Sequence, residues 1–387
     1  MTTSMRICAT SLVVALVTAS AAAQQPLAIP LREGLTTVGA VVMTTGDAEM
    51  ISRIDLVNAE GVRFTYSGQF LTSRGDDALS AILGGGNTPA GKPELGRIKG
   101  LRTVRAADLA SARHWQSQFA SNQPQVFPGT TSFNLSTLVF NELKTSGQAE
   151  FSCSCAPGAP GAAGTLGGLA DILGPALGKP ADGKPLAPFA KLSGTLRRVQ
   201  AKPVPFAVIV NDMRVSLPAI HANGKLGTED SEFFILDDPQ NRLILSGKVG
   251  PQTSRVVKIS FPLAAPRIAN ELAKAGRVEV YGIYFDFGSA ILRPESEPVL
   301  KEIADALTTN ASWKLKIDGH TDNIGGDAPN LDLSRRRAAS VRDALVSRYK
   351  INTTRLTTDG FGASRPKESN ATPNGRARNR RVELVRQ

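Results

Sequence analysis

Apolar and polar residues alternate through much of the first two thirds of the chain, which is the pattern of half-buried β-strands. Thr37–Met43 is rich in β-branched residues, and the alternating runs Met50–Leu56 and Val62–Tyr66 flank a turn sequence at Asn58–Gly61. This spacing predicts a β-hairpin whose apolar side chains share one face. Further strand-like runs lie at 205–210, 232–236, 242–245 and 255–261.

A segment of different composition interrupts this pattern. Residues 156–190 consist largely of Ala, Gly and Pro, which cannot bury enough side chain to hold a fold. We interpret this segment as a flexible linker or a loop insertion, and residues 24–155 and 191–268 as two parts of one β-rich domain. Two small domains joined by the segment are the alternative. A helix is predicted at Ser136–Lys144, ending before Gly147.

Residues 275–387 alternate between strand-like and helical patterns, which is typical of an α/β sandwich. Strands are predicted at 278–285, 313–317, 355–361 and 381–385, with a loop at 319–332 before the second helix. The first helix starts near Pro294, and its apolar stripe at helical spacing consists of Leu300, Ile303, Ala304 and Leu307. The chain is therefore expected to be an α+β, multi-domain protein with a β-rich N-terminal domain.

The first residues have the organisation of a secretory signal peptide. Arg6 supplies a positive charge, Leu12–Val17 lies in a short apolar run, and Ala21–Ala23 fits a small-residue cleavage site. The apolar run is well short of the ~20 residues of a transmembrane helix. We therefore interpret Met1–Ala23 as a signal peptide rather than an anchor, and we expect the protein to be exported.

Export changes the meaning of the basic charge. The chain carries 45 Lys and Arg against 34 Asp and Glu, a formal net charge of +11. For an exported protein the available anions are cell-wall carboxylates and lipid head groups, so a nucleic-acid partner is not expected. Aromatic residues make up 5% of the chain, a small supply for the aromatic girdles of a membrane β-barrel.

Candidate catalytic and metal-binding residues are scarce. His114 and His221 have no companions at metal-ligand spacing, and His320 lacks a paired nucleophile. Cys153 and Cys155 are close in sequence, and we interpret them as a local disulfide or as two free thiols. We therefore expect no enzyme activity, no cofactor and no metal site.

One pair of charged residues suggests a ligand. Asp322 follows a predicted strand end, and Arg337 is placed on the first turn of the next helix, with Asp332 or Ser334 as N-cap. Together they form a receptor for a zwitterion, because Asp322 can take an ammonium while Arg337 and the helix N-terminus take a carboxylate. The alternative is a salt bridge between the two that only holds the loop.

A series of short motifs runs in order through the last part of the chain: Tyr284-Phe285-Asp286-Phe287, Pro294-Glu295, Gly319-His320-Thr321-Asp322, Gly325, Asn330, Leu333-Ser334, Arg337-Ala338, Arg355, Gly360-Phe361-Gly362, Pro366, Asn370 and the segment from Gly375 to Glu383. In these motifs the region from about Val278 to Gln387 resembles the OmpA-like C-terminal domain, the peptidoglycan-binding module of Gram-negative envelope proteins. The resemblance implies a βαβαβ-type mixed sheet with helices on one face. It says nothing about the rest of the chain.

The resemblance also implies a ligand and its contacts. The family binds the diaminopimelate of the peptidoglycan stem peptide without covalent chemistry. By that resemblance Asp322 and Arg337 hold the free amino and carboxylate ends of this residue. Asn330 and Thr321 add hydrogen bonds, and Arg380 lines the same pocket.

The implied function is that of an exported envelope protein that binds peptidoglycan and anchors its β-rich domain to the cell wall. Its location would be the periplasm, associated with the cell wall, with the outer-membrane surface and other envelope proteins as further candidate partners. Two alternatives remain open, an envelope enzyme and an outer-membrane β-barrel protein. In either case the C-terminal domain would target the protein to the wall.

Overall fold

The structure is a computed structural model that describes residues 27–43, 46–72, 94–116, 124–154, 191–250, 252–263 and 265–387. The predicted signal peptide, the predicted linker or insertion at 156–190 and Cys155 lie outside the described residues. Cys153 is described, and it is disulfide-bonded. Across the described ranges, no helix is both long and apolar enough to cross a membrane.

The described residues of the N-terminal region, up to residue 263, form one large β-sheet and two helices, α1 (Ala106–Ser111) and α2 (Thr137–Thr145). The strands found in the described residues are β1 (Thr36–Met43), β2 (Gly46–Asn58), β3 (Gly61–Thr72), β4 (Glu94–Arg105), β5 (His114–Gln116), β6 (Gln125–Val126), β7 (Thr130–Thr131), β8 (Gln148–Ser154), β9 (Lys191–Arg198), β10 (Val204–Val210), β11 (Met213–Leu226), β12 (Glu229–Leu236), β13 (Ile244–Val249) and β14 (Gln252–Ser260).

The strands follow the order β6-β4-β3-β2-β1-β14-β13-β12-β11-β9-β8-β5-β7. Strand β10 pairs with β11 and, in parallel, with β14, so that β10 to β14 form a closed ring of pairings. Strands from both sides of residues 155–190 share this sheet, because β8 pairs with β9 and β1 pairs with β14. The β-rich character predicted for this region is confirmed.

The predicted hairpin is present and closes at Asn58–Gly61, where the Asn58 side-chain oxygen accepts two backbone N–H groups of the turn at 3.0 and 3.2 Å. A β-bulge between Ile54 and Leu56 changes the register. Ile54 therefore pairs with Phe64 and lies in the core, whereas Leu56 pairs with Arg63 and is only partly buried. The expectation that all apolar side chains of both runs share a face is wrong at Leu56, because the bulge adds one residue.

The predicted helix at Ser136–Lys144 corresponds to α2. The Ser136 side chain caps it by accepting the backbone N–H of Val139, and Gly147 follows with a φ of 75°. Val139 and Leu143 pack against the sheet in one of its apolar clusters. A second apolar cluster contains Phe64 together with buried apolar residues from other strands of the sheet.

The C-terminal domain, residues 265–387, contains a four-stranded sheet in the order β15-β18-β16-β17. Its strands are β15 (Arg277–Val280), β16 (Leu315–Gly319), β17 (Leu356–Gly360) and β18 (Val382–Arg386), and only the β16–β17 pairing is parallel. Its helices are α3 (Arg267–Ala275), α4 (Glu297–Thr309), α5 (Asp327–Tyr349) and α6 (Pro373–Asn379), with 3₁₀ turns at Pro294–Ser296 and Thr353–Arg355. The sheet is therefore mixed.

One apolar cluster joins the sheet to three of these helices. The predicted stripe of α4 is fully buried in it, together with Ile268 and Leu272 of α3 and Val341 and Leu345 of α5. The sheet contributes alternate residues, such as Leu315 and Ile317, as expected for strands buried on one face.

Two predicted boundaries in this domain are wrong. Helix α5 begins at Asp327 and not after a loop ending at residue 332, because Pro329 is tolerated in the first turn, where backbone N–H groups have no helical partner. Arg337 is therefore well inside the helix, and neither Asp332 nor Ser334 is its N-cap. Strand β15 ends at Val280, although the apolar pattern continues to Phe285.

The N-terminal region and the C-terminal domain pack against each other, and the surface between them is called the interdomain contact. Its apolar part is small, with side chains from β1, β2 and β14 packing against two residues of the C-terminal domain: Val38, Ala40, Ile51, Val257, Tyr284 and Ala377. The remainder is polar, and it includes an ion pair between Arg214 and Glu368 at 2.5 Å.

Candidate ligand-binding site

The predicted site residues lie where helix α5 passes over the ends of β16 and β17. Glycines make this close approach possible. A Cβ atom on Gly319 would lie 2.2 Å from the carbonyl oxygen of Ser334, and one on Gly360 would lie 2.4 Å from the backbone nitrogen of Arg335. These glycines of the two sequence motifs are therefore required by packing.

Asp322 is buried in the loop after β16, and its two oxygens have different partners. Oδ1 accepts the backbone N–H of Ile324 at 3.0 Å, and Oδ2 accepts from Arg380 Nη1 at 2.5 Å. Asn330, on the first turn of α5, donates its amide to the carbonyl oxygens of Asp322 and Ile324 at 3.1 and 3.0 Å. The loop is thus held by Asn330, and Asp322 is paired with Arg380 rather than with Arg337.

Arg337 reaches from α5 to the loop that follows β15. Its Nε donates to the carbonyl oxygen of Ser289 at 2.9 Å and its Nη2 to that of Asp286 at 3.4 Å, while its guanidinium lies 4.9 Å from the ring centre of Phe285. Burial, together with the nearby Arg380, lowers the pKa of Arg337 to about 10. Arg337 therefore remains a cation at neutral pH, and carbonyl dipoles hold its guanidinium.

Arg337 and Arg380 line the same small cavity of about 50 Å³. The N-terminal region supplies part of its wall, Glu49 of β2 and Lys258 of β14, beside His320 of the C-terminal domain. Arg380 Nη2 donates to Glu49 Oε1 at 2.5 Å, so one guanidinium joins Asp322 to Glu49.

The electrostatics of the cavity follow from these contacts. Burial alone would raise the pKa of Glu49, but Arg380, Lys258 and Arg293 outweigh it and lower this pKa to about 2. Burial lowers the pKa of Lys258. The pKa of Arg380 is raised, because Glu49 and Asp322 outweigh the effect of burial. Glu49 is thus an anion at neutral pH, stabilised chiefly by Arg380.

Among the described residues, two groups that directly follow β16 have buried polar atoms without hydrogen-bond partners. One is the hydroxyl of Thr321, and the other is the imidazole of His320, which stacks on Phe361 with ring centres 5.4 Å apart. Burial lowers the pKa of His320 to about 4, so the ring is neutral near pH 7.

Of the five residues predicted for the site, Arg337 and Arg380 line the cavity, and Asp322 joins them through Arg380. Asn330 and Thr321 belong to the loop beside it. Glu49 and Lys258 were not predicted. They lie on ordinary alternating strands far from the C-terminal motifs in sequence, and no local pattern marks them as site residues.

Residues 284–380 match the model of the OmpA family, so the C-terminal domain of this chain is an OmpA family domain. The resemblance found in the sequence motifs is thereby confirmed for these residues. The match covers about a quarter of the chain and does not extend to the N-terminal region.

Similar proteins match over the same part. Outer membrane porin F of Pseudomonas aeruginosa is 42% identical over 112 residues, 29% of this chain and 32% of the porin. Peptidoglycan-binding protein ArfA of Mycobacterium tuberculosis is 42% identical over 103 residues, 27% of this chain and 31% of that protein. The chain thus spans about a third of the length of these relatives. The solved peptidoglycan-associated lipoprotein from Burkholderia pseudomallei is 30% identical, with coverage of 33% of this chain and 99% of that chain and a TM-score of 0.27.

Proposed function

We propose that this protein binds peptidoglycan non-covalently through its C-terminal domain and so anchors its N-terminal β-rich region to the cell wall of a Gram-negative envelope. The observation that carries the proposal is the group formed by the buried Asp322 and the half-buried Arg337 and Arg380 in an OmpA family domain. The names of relatives such as ArfA agree with it. The proposed location is the periplasm, at the wall.

The proposed ligand is the diaminopimelate residue of the stem peptide. Its free end is a zwitterion, and the site offers the complementary charges. Asp322 takes the ammonium group and Arg337 takes the carboxylate, while Arg380 completes the cationic wall. The unpartnered Thr321 hydroxyl supports a hydrogen bond to the same group. The amide nitrogen of Asn330 already donates to two carbonyl oxygens of the loop. We therefore assign its Oδ1 to the ligand.

The test is co-sedimentation of the full-length protein with purified peptidoglycan sacculi. Asp322→Ala and Arg337→Lys should each weaken binding roughly tenfold or more, because each removes a charge-assisted contact and lysine cannot form two parallel hydrogen bonds. Arg336→Ala is the matched control, since Arg336 lies beside Arg337 on α5 but is exposed and pairs with Asp332 at 2.8 Å. Binding by the first two variants equal to that of the control would refute the assignment.

The nature of the ligand is tested separately with two wall types. Walls that carry diaminopimelate should retain the protein. Walls that carry lysine at this position should retain much less, because lysine lacks the second carboxylate that Arg337 is proposed to hold. Equal retention on both would argue for recognition of the glycan or of non-specific charge.

A further inference from the structure

The carboxylate of Glu49 occupies the cationic wall of the proposed peptidoglycan site. It lies 2.5 Å from Arg380 Nη2, and the other side of the same guanidinium is held by Asp322, also at 2.5 Å. Glu49 belongs to β2 of the N-terminal region, and it is 331 residues from Arg380 in sequence. One region of the chain thus places an anion on Arg380, in the same cavity as the Arg337 that is proposed to take the carboxylate of the ligand.

The space left beside this contact is too small for the proposed ligand. The cavity lined by Glu49, Arg337 and Arg380 measures about 50 Å³. For comparison, a cavity of about 150 Å³ takes one benzene molecule, which has about as many heavy atoms as an amino-acid head group. The head group of diaminopimelate therefore cannot enter while β2 stays in place.

The interdomain contact has the composition of one that can open. Next to Glu49, Gln69 donates to Asp286 Oδ1 at 2.6 Å and accepts the backbone N–H of Phe287 at 2.6 Å, and Ser67 donates to Glu295 at 2.5 Å. These polar groups can all be solvated on separation, and the apolar part of the contact is small. Polar contacts of this kind between domains are compatible with relative movement.

We propose that Glu49 is an internal ligand of the C-terminal site, so that the N-terminal region closes the site until peptidoglycan displaces it. This inference rests on the proposed function. Because Glu49 is tethered in the same chain, its effective concentration at Arg380 is high and an external carboxylate must compete with it. The observed affinity for peptidoglycan is then reduced by the fraction of molecules that are closed.

The experiment measures binding of full-length protein to sacculi that contain diaminopimelate. Glu49→Ala and Glu49→Gln should bind roughly tenfold more tightly than the natural sequence, because the closed form loses its ion pair. Glu142→Gln is the matched control. Glu142 also pairs with an arginine, Arg113, at 2.5 Å, but within the N-terminal region and away from the cavity. This control should bind like the natural sequence.

The outcomes separate the two proposals. If the Glu49 variants bind no more tightly than the natural sequence while Asp322→Ala abolishes binding, the closure is overturned and the proposed function stands. If neither the natural sequence nor the Glu49 variants bind, the proposed function fails and the closure fails with it. If Glu142→Gln also binds more tightly, the gain comes from the loss of any negative charge and not from the cavity. That result would also overturn the closure.

Hydrogen–deuterium exchange supplies a second measurement that does not depend on a substitution. The backbone N–H of Phe287 donates to Gln69, and that of Tyr281 donates to Asp212 Oδ1 at 2.7 Å, so both lose a partner when the regions separate. Addition of soluble stem peptide should speed exchange of residues 281–287. Bound peptide with unchanged or slower exchange there would contradict opening.

Discussion

Both regions of the chain bury arginine side chains, but they surround them differently. In the N-terminal region Arg102 is fully buried, and its guanidinium donates to the hydroxyls of Thr130 and Ser132 at 2.8 and 3.3 Å and to the carbonyl oxygens of Gln116 and Thr131. Burial lowers its pKa to about 10. Arg102 thus ties β4 to the strands and loops around it.

In the C-terminal domain two half-buried arginines line a cavity. Arg337 is held by carbonyl oxygens and Arg380 by two carboxylates, one of which comes from the other region. Burial of a cation therefore does not by itself indicate a ligand site. The distinguishing features are an adjacent space and a partner that another molecule can replace.

The strongest effect is expected in the N-terminal region. Arg102→Met should cost about 3 kcal/mol or more in the free energy of unfolding, because four buried oxygen acceptors lose their donor. Urea denaturation measures it. Arg63→Met, an exposed position on β3, should change stability by less than about 0.5 kcal/mol. A loss at Arg102 as small as that at Arg63 would show that Arg102 does not hold the sheet together.

An intermediate effect is expected where α5 crosses β16. Gly319→Ala places a methyl group 2.2 Å from the Ser334 carbonyl oxygen, so α5 must shift, at a cost of about 1–3 kcal/mol. Binding to sacculi should fall as well, because α5 carries Arg337. Gly39→Ala in β1 is the control, since its nearest neighbour would be 3.8 Å away. Normal stability and normal binding of Gly319→Ala would contradict this packing.

The smallest expected effect concerns pH and the interdomain contact. The pKa of Glu49 is lowered from 4.5 to about 2 in the folded protein. A lowered pKa stabilises the form in which Glu49 is ionised, so its contribution is complete above about pH 4.5 and is lost as the pH falls towards 2. Because Glu49 is partly exposed, the effect should be on the order of 1 kcal/mol.

This pH dependence is measured as the exchange rate of residues 281–287, corrected for intrinsic exchange, between pH 5 and pH 2.5. The natural sequence should open more often on acidification, and Glu49→Gln should already show the faster exchange at pH 5. The difference between the two, rather than either profile alone, isolates Glu49 from the other carboxylates. If the natural sequence and Glu49→Gln gave the same exchange profile against pH, Glu49 would not be the group that links the regions.

Much of the secondary structure could be predicted because the signals are local. The stripe of α4 and the hairpin at Asn58–Gly61 follow from side-chain periodicity and turn chemistry within a few residues. The start of α5 could not be predicted, because Pro329 is equally compatible with a loop and with the first turn of a helix. The bulge at Ile54–Leu56 could not be predicted from the alternating pattern either, because it depends on the pairing of β2 with β3.

The C-terminal OmpA family domain could be recognised from the sequence because the motifs that carry the resemblance are short and contiguous, and the charged residues Asp322, Arg337 and Arg380 were predicted as its site on the same motifs. The pairing of these charges depends on the folded chain. Arg380 links Asp322 to Glu49 because β2 and the C-terminal domain pack together, and a contact between residues 331 positions apart leaves no periodic trace in the chain.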